Sequence, residues 1–196
     1  MKEATCCWIV VLLIIGCILW KYFMSDEGSL KCIVSNVDGN IYCVRERIKL
    51  EMAADLLAKA TNNCKLLIRV LKDKFPDDED VERLASKFDP TAITETLPTS
   101  TYTAYSENKG EKLAFCLNKK KGGNKLIDLN TLTFVAIHEL AHIMTVAEGH
   151  GQAFWENFKF LLVHADTANI YNPVDYKNNP IEFCSLKITD NPFYDM

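Results

Sequence analysis

The most informative stretch of the sequence is FVAIHELAH, residues 134–142. Two of its histidines, His138 and His142, stand four positions apart, so a helix would place both imidazoles on one face, one turn apart. Imidazoles in this arrangement can bind one metal ion, and zinc accepts nitrogen ligands in a tetrahedral shell. Glu139 is displaced around the helix, where its carboxylate can hold a zinc-bound water. The pattern predicts one zinc ion per chain, with His138 and His142 as ligands and Glu139 as catalytic base.

The residues around this motif predict that it lies on a helix. Asp128 or Asn130 can cap a helix that runs from Thr131 to about Ala147, with apolar side chains available for its buried sides. Gly149 suits a position just past the end of that helix. A second helix, over about residues 152–169, follows and is unusually aromatic. An HExxH motif on a predicted, capped helix indicates a metal site more specifically than the bare motif does.

Several residues can supply the third zinc ligand. His150 follows a glycine, so a turn can return it over the face that carries the two helix histidines, and we favour it. Glu148 stands where the HExxHxxGxxH signature has its third histidine, but Thr145 replaces the glycine that makes the turn in that signature. The more distant carboxylates Glu156 and Asp166 are further candidates.

An HExxH helix with a glutamate base is typical of enzymes that hydrolyse peptides, and that reaction also needs a donor that stabilises the oxyanion and a surface that holds the substrate. Tyr171, Tyr176 and His164 are candidate donors, and the sequence does not choose between them. The strand predicted at residues 112–117 precedes the active-site helix and is a candidate edge for pairing with an extended substrate. An ordinary sheet strand is the alternative interpretation of that segment.

The rest of the chain predicts a mixture of helices and strands. The segments that carry this prediction are a hairpin over residues 31–45, a helix from Glu46 to about Lys74, a helix capped by Asp77 or Asp78 and running to Phe88, a loop over residues 91–110 and an irregular tail from Ile170. We therefore expect an α+β domain over residues 25–196, with a small sheet over the active-site helix, and the HExxH motif on that helix is typical of zincin-like metallopeptidases.

The first 24 residues predict a membrane anchor. No residue from Ala4 to Trp20 is charged, and aromatic residues lie near the ends of this segment. A cleaved signal peptide is the alternative, but no small-x-small cleavage site follows. The expected location is therefore a membrane, with a single-pass N-terminal helix and a domain that faces the cytosol.

The net charge bears on the class of binding partner, and the cysteines bear on the redox state of the domain. The net charge is −4, which argues against a surface built to bind nucleic acid, and the basic run at residues 119–121 is interpreted as a solvated hairpin loop. Of eight cysteines, five fall after the apolar segment, an odd number without a recognisable framework. A two-residue turn at Asp38-Gly39 would place Cys43 opposite Val34 and Cys32 opposite Arg45. A reduced domain is therefore expected.

The HELAH motif, followed by GHGQAFW at residues 149–155, resembles the WLM and SprT-like metallopeptidases. These zincins, which include the Spartan-type proteases that degrade proteins crosslinked to DNA, share an HExxH helix, a third histidine and then a Phe or Trp on the next helix. The third histidine comes later here than is usual in WLM proteins and earlier than in SprT proteins, so the subfamily stays open.

More of the chain resembles predicted membrane-anchored peptidases encoded by large double-stranded DNA viruses. The shared segments include residues 105–110, Cys116-Leu117 and residues 171–176. The family resemblance implies zinc ligands at His138, His142 and His150 with Glu139 catalytic, and a protein or peptide substrate. It does not carry over a DNA partner, because no second Cys/His zinc module or basic arm is present.

The predicted function is thus a membrane-anchored zinc metallopeptidase that hydrolyses peptide bonds. Two alternatives belong to other classes. A non-catalytic, zinc-stabilised interaction module on a membrane would need a fourth protein ligand near His138 and would have no use for Glu139. A DNA-associated protease of the Spartan type would show salt-dependent DNA binding.

Overall fold

The structure is a computed structural model that describes Trp8, residues 12–16 and residues 30–195. Its centre is a five-stranded mixed sheet with the strand order β1-β2-β3-β5-β4, and a two-stranded hairpin, β6-β7, lies towards the C-terminus. The strands are β1 (Leu30–Val34), β2 (Ile41–Arg45), β3 (Ile93–Glu95), β4 (Ala104–Glu107), β5 (Lys112–Phe115), β6 (Ile181–Phe183) and β7 (Leu186–Ile188). The expected α+β class is confirmed.

Among residues 30–195, four α-helices accompany the sheet. They are α1 (Leu50–Lys74), α2 (Glu79–Lys87), α3 (Leu129–Met144) and α4 (Gln152–Thr167), and a 3-10 helix follows at Pro192–Tyr194. Helix α3 packs against α1, α2, α4 and strand β4, and most of its side chains are buried. Asp78 caps α2 by accepting hydrogen bonds from two backbone N–H groups, as one of the two predicted caps. Helix α3 is therefore held on several sides by packed elements.

The first hairpin differs from its prediction in register. Strands β1 and β2 pair Cys32 with Cys43 and Val34 with Ile41, so residues 35–40 form the loop instead of a two-residue turn. The Asp55 carboxylate of α1 holds this longer loop, since its Oδ1 accepts hydrogen bonds from Ser35 Oγ at 2.6 Å and Asn36 N at 2.9 Å. With that register the two cysteines face each other and form a disulfide.

The expectation of a reduced domain is wrong. A second disulfide joins Cys116, just after β5, to Cys184 in the β6-β7 turn, across 68 positions of sequence. Cys64 is the free cysteine of the described residues and is buried, and burial raises the pKa of its thiol to about 12. Two disulfides in one small domain are typical of proteins that fold in oxidising compartments.

The segment predicted as a loop at residues 91–110 contains two short strands, β3 and β4. Strand β5 is the first two thirds of the strand predicted at residues 112–117, but it lies between β3 and β4, inside the sheet. The edge position next to it belongs to β4, which runs antiparallel to β5. The prediction that β5 itself offers a free edge is therefore wrong.

The C-terminal segment is more regular than expected. Cys184 and Ser185 form the β6-β7 turn with φ of 51° and 67°, and their N–H groups donate to the carbonyls of Asn118 and Lys119, each at 2.9 Å. Together with the disulfide, these bonds attach the hairpin to the chain that follows β5. A prediction of irregular structure missed this hairpin because its strands have three residues each.

The prediction of an N-terminal transmembrane helix has to be corrected. Among the described residues no helix is both long and apolar enough to cross a membrane. Within residues 1–24 the structure describes only Trp8 and residues 12–16, which are helical, and the remainder of that prediction lies outside the described residues. The single-pass anchor and the localisation built on it are therefore not supported.

Candidate metal centre

Helix α3 begins and ends close to its predicted positions. Asp128 is the N-cap, and its carboxylate accepts hydrogen bonds from the Thr131 N–H at 2.9 Å and the Thr131 hydroxyl at 2.8 Å. The helix ends at Met144, three residues before the predicted end, because Thr145 takes an extended conformation. The Thr145 hydroxyl donates to the carbonyl of Ala141 at 2.7 Å and accepts from the Asn157 side chain at 3.0 Å.

A loop then returns the chain over the helix. Residues 146–150 are exposed, and Gly149 has a φ of +79°, the left-handed conformation that glycine adopts at little cost. Helix α4 starts at Gln152, with Gly151 as its N-cap. The turn predicted at Gly149 is present, and it brings His150 back to the helix face that carries His138 and His142.

The three histidines converge. One ring nitrogen from each of His138, His142 and His150 lies within 4.8 Å of the others. The ring centroids are 4.9 Å apart for His138 and His142, 5.1 Å for His138 and His150, and 4.7 Å for His142 and His150. His138 and His142 are half-buried and His150 is exposed, so the cluster opens to solvent on the side of the loop.

This donor set fits a zinc ion. Nε2 of His150 lies 3.2 Å from Nε2 of His138. Two nitrogens that share a tetrahedral zinc, each at about 2.0–2.1 Å from it, are separated by about 3.3 Å. Among the described residues this is the single contact at hydrogen-bond distance made by any of the three rings. The nitrogens are thus grouped closely and are not committed to carboxylates or backbone carbonyls.

Aromatic side chains of α4 support the histidines. Phe154 is fully buried, and its ring centroid lies 4.3 Å from that of His142, 4.6 Å from that of His150 and 4.9 Å from that of His138. Trp155 is about half exposed, with its centroid 5.9 Å from that of His150. Phe154 therefore packs against all three imidazole rings and Trp155 against that of His150, contacts that use none of the ring nitrogens.

Burial shapes the protonation of the cluster. Desolvation, with smaller contributions from the neighbouring histidines, lowers the pKa of His138 to about 3, and desolvation likewise lowers the pKa of His142 to about 4. Both imidazoles are therefore neutral at pH 7, the form in which histidine binds metals. Burial raises the pKa of the Glu139 carboxyl to about 7, a value suited to a group that exchanges protons near neutrality.

Two cavities meet at the cluster of three histidines, and Glu139 and His138 line both of them. One, of about 290 Å³, has mainly apolar walls that include Phe134, Trp155 and four residues of the C-terminal hairpin. The other, of about 320 Å³, is more polar, and its walls come from β4, the β4-β5 turn and the loop that ends at His150. Ala104 of β4 lies in the walls of both. Two spaces of different character therefore open on the same carboxylate.

The alternative ligands lie elsewhere. Glu148 is 91% exposed and faces Lys109, with 3.5 Å between Oε1 and Nζ. Glu156 accepts a hydrogen bond from Gln152 at 2.8 Å on the exposed face of α4. Asp166, near the end of α4, lines neither cavity. Of the residues considered for the third ligand, the structure brings only His150 to the other two histidines.

The three predicted oxyanion donors are not at the site. Tyr171 and Tyr176 are buried and pack against Phe134, with centroids 5.9 Å and 5.0 Å from its ring. The Tyr171 hydroxyl is occupied, since it accepts from the Asn191 side chain at 3.0 Å. His164 stacks between Phe75 and Phe160. None of these side chains lines either cavity, so their predicted role is not supported.

The sequence interpretation missed two groups of cavity residues. One is on and around β4: Tyr102, Ala104, Tyr105, Ser106 and Lys109. The other is in the C-terminal hairpin: Phe183, Leu186, Lys187 and Ile188. Strands of three or four residues are too short for a hydrophobic period to identify. The sequence indicates some of these residues in one way only: the segment at residues 105–110 belongs to the resemblance to viral proteins.

Two viral proteins are homologous to this chain. It is 27% identical over 187 residues to Uncharacterized protein R325 of Acanthamoeba polyphaga mimivirus, which covers 92% of the chain and 94% of that protein. It is 37% identical over 70 residues to Uncharacterized protein 136R of Invertebrate iridescent virus 6, covering 35% of the chain and 39% of that protein. No protein-family model and no solved structure matches the chain. The resemblance to viral proteins is confirmed at this level.

Proposed function

We propose that the chain is a zinc-dependent metallopeptidase in which His138, His142 and His150 bind one zinc ion and Glu139 is the general base. One observation carries the proposal: three imidazoles converge beside a buried carboxylate that opens on two cavities. In the part of the chain that the structure describes, no fourth His, Cys, Asp or Glu joins the group. An open fourth position favours a catalytic site over a structural one. Membership of the WLM and SprT-like zincins is part of the same proposal.

The chemistry divides between the metal and the protein. A zinc ion held by three imidazoles would supply an acidified water and polarise the carbonyl of a peptide bond. Glu139 accepts a proton at its carboxylate as the water oxygen bonds to the carbonyl carbon. It then delivers that proton to the amine nitrogen as the carbon–nitrogen bond breaks. Both proton transfers use the same carboxyl, which acts first as base and then as acid.

Strand β4 is suited to hold the substrate backbone. It lies at the edge of the sheet, with β5 on its inner side, and its residues line the cavities that contain Glu139. An extended peptide can add to such an edge through main-chain hydrogen bonds. We therefore assign the substrate-pairing role, first predicted for the neighbouring strand, to β4.

The two cavities suggest the kind of peptide that is cut. A substrate that pairs with β4 would place one side chain in the apolar cavity, against Phe134, Trp155 and the C-terminal hairpin. The other direction along the peptide enters the polar cavity, which offers Tyr105, Ser106 and Lys109. A bulky apolar residue on one side of the scissile bond and a polar residue on the other is the substrate class that fits.

Zinc content and peptide cleavage of the full-length chain test the proposal. The wild type is expected to hold one zinc per chain, and His150→Ala is expected to lose most of it. His164→Ala is the matched control, because that histidine packs on Phe75 and Phe160 and not at the cluster. Cleavage sites in a proteome-derived peptide mixture, read by mass spectrometry, then give the substrate class.

The outcomes separate the possibilities. A folded wild-type protein without zinc would overturn the proposal at its base. Zinc retained fully by His150→Ala would reject the three-histidine set. Stoichiometric zinc with no cleavage of any peptide would instead support the non-catalytic zinc module.

A further inference from the structure

The loop that delivers His150 has few bonds of its own. In the described part of the chain, no backbone N–H from Val146 to His150 donates to a backbone carbonyl, and all five residues are exposed. Neither a helical ladder nor apolar burial therefore fixes this segment. A metal site whose third ligand sits on such a loop depends on whatever holds the loop from outside.

A single ammonium group makes that connection. The Lys109 Nζ donates to the backbone carbonyls of Thr145 at 2.9 Å and Ala147 at 3.3 Å, and also to that of Val146. Glu148 adds a carboxylate at 3.5 Å. Four consecutive residues that lead to His150 thus converge on one side chain, which is largely buried although the loop itself is exposed.

The backbone of the β4-β5 turn places Lys109 there. Asn108, Lys109 and Gly110 have φ of 47°, 54° and 119°, so three successive residues take conformations with positive φ. Asn108 and Lys109 bear the cost of that conformation without being glycine. A Cβ on Gly110 would lie 2.4 Å from the carbonyl oxygen of Lys87 at the end of α2. The turn therefore packs closely against α2. In this position the Lys109 side chain reaches the loop at residues 145–148.

A second cation completes the arrangement. Arg83 of α2 donates to the carbonyl of Met144, the last residue of α3, at 2.6 Å. Arg83 thus holds the end of the helix, and Lys109 holds the chain beyond it. The two contacts are consecutive along the backbone, and only the one made by Lys109 continues towards His150.

We propose that Lys109 is a positioning residue, which fixes the loop at residues 145–148 and so places the third histidine of the metal site. The inference rests on the proposed zinc site and adds what determines its geometry. Lys109 is not a ligand and touches no imidazole in the described contacts. It acts by binding four consecutive residues of the loop at once.

The direction of the change in zinc affinity distinguishes a positioning role of Lys109 from an effect of its charge. A lysine near a cationic metal repels it, so loss of the charge alone would tighten zinc binding. Loss of the positioning contacts would weaken zinc binding, because the loop would have to be ordered at the moment of binding. The two explanations therefore predict opposite changes for one substitution.

The test is the zinc dissociation constant of the full-length chain, measured by competition with a chelator. Lys109→Met is expected to weaken binding by about 10- to 100-fold, the usual loss when a group that orients a ligand is removed. Lys109→Arg, which keeps donors for the carbonyls, is expected to recover part of it. Lys112→Met is the matched control, since that lysine is on the same hairpin but contacts Glu107 and the Tyr105 ring instead.

Two further readouts exclude a general structural role. Chemical unfolding of the metal-free protein should change little with Lys109→Met, and the visible spectrum of the cobalt-loaded protein should lose its four-coordinate signature. Gly110→Ala shifts the turn without changing the charge and is expected to weaken zinc binding as well. Zinc binding by Lys109→Met that equals or exceeds the wild type would overturn the inference while the zinc site stands. A wild type that binds no zinc would remove the site itself.

Discussion

The two cavities beside Glu139 are similar in size but are built in different ways. The polar cavity draws its walls from the β4-β5 turn and the loop at residues 147–150, which lie next to the sheet and to α3. One wall of the apolar cavity is formed by the C-terminal hairpin. A disulfide and two backbone hydrogen bonds attach this hairpin to the chain after β5. The comparison indicates that Glu139, the three histidines and one cavity belong to the central fold, whereas the other cavity depends on an attached element.

The largest expected effect concerns Glu139, which lines both cavities. Glu139→Gln removes the proton acceptor but keeps the shape of the side chain, so kcat/KM should fall by about 10²- to 10⁴-fold for every peptide. Zinc content should stay at the wild-type value, because Glu139 is not one of the three converging donors. Two peptides, one with a bulky apolar residue and one with a small residue at the cleavage site, give the measurement. A loss confined to one of them would mean that Glu139 serves a cavity and not the reaction.

The next effect separates the attached element from the central fold. Replacement of both Cys116 and Cys184 by alanine should cost about 2–4 kcal/mol of unfolding free energy. It should also abolish the preference for bulky apolar residues, while slow cleavage of small-residue peptides persists. The Cys32→Ala/Cys43→Ala pair is the control, because that bridge spans 11 positions in the first hairpin and lines neither cavity. Equal specificity changes in both double variants would contradict the assignment.

The sequence predicted the shared part of the site better than the attached part, for a physical reason. The cap at Asp128, the spacing of His138 and His142, and the glycine before His150 are all local features of adjacent residues. The register of the first hairpin was decided instead by Asp55, a carboxylate on another element. The Cys116–Cys184 bridge joins segments 68 positions apart, and the β6 and β7 strands have three residues each. Contacts of this kind leave no periodic pattern in one sequence.

A smaller effect is expected from a single charge placed in the apolar wall. Leu186 is 57% exposed and lines that cavity, so Leu186→Glu should leave the fold intact. Cleavage next to bulky apolar residues should fall by about 10- to 100-fold in kcat/KM, the discrimination that a hydrophobic pocket provides. Cleavage of a peptide with lysine at that position should change little or rise. Ile41→Glu is the control, since Ile41 is 64% exposed on the first hairpin; a comparable loss there would point to a general effect of charge.

The smallest expected effect tests the polar cavity. The Ser106 hydroxyl oxygen is buried and has no hydrogen-bond partner among the described residues, although Ser106 lines the cavity. An unpaired buried hydroxyl destabilises the free protein, so Ser106→Ala should raise the unfolding free energy by about 1 kcal/mol. If substrate supplies the missing partner, the same variant should raise KM by about two- to tenfold, with kcat nearly unchanged. A gain in stability together with a higher KM would show that the hydroxyl is kept for binding. A loss of stability in Ser106→Ala would show instead that the hydroxyl already has a partner in the free protein, and the polar cavity would then need another residue to recognise the substrate.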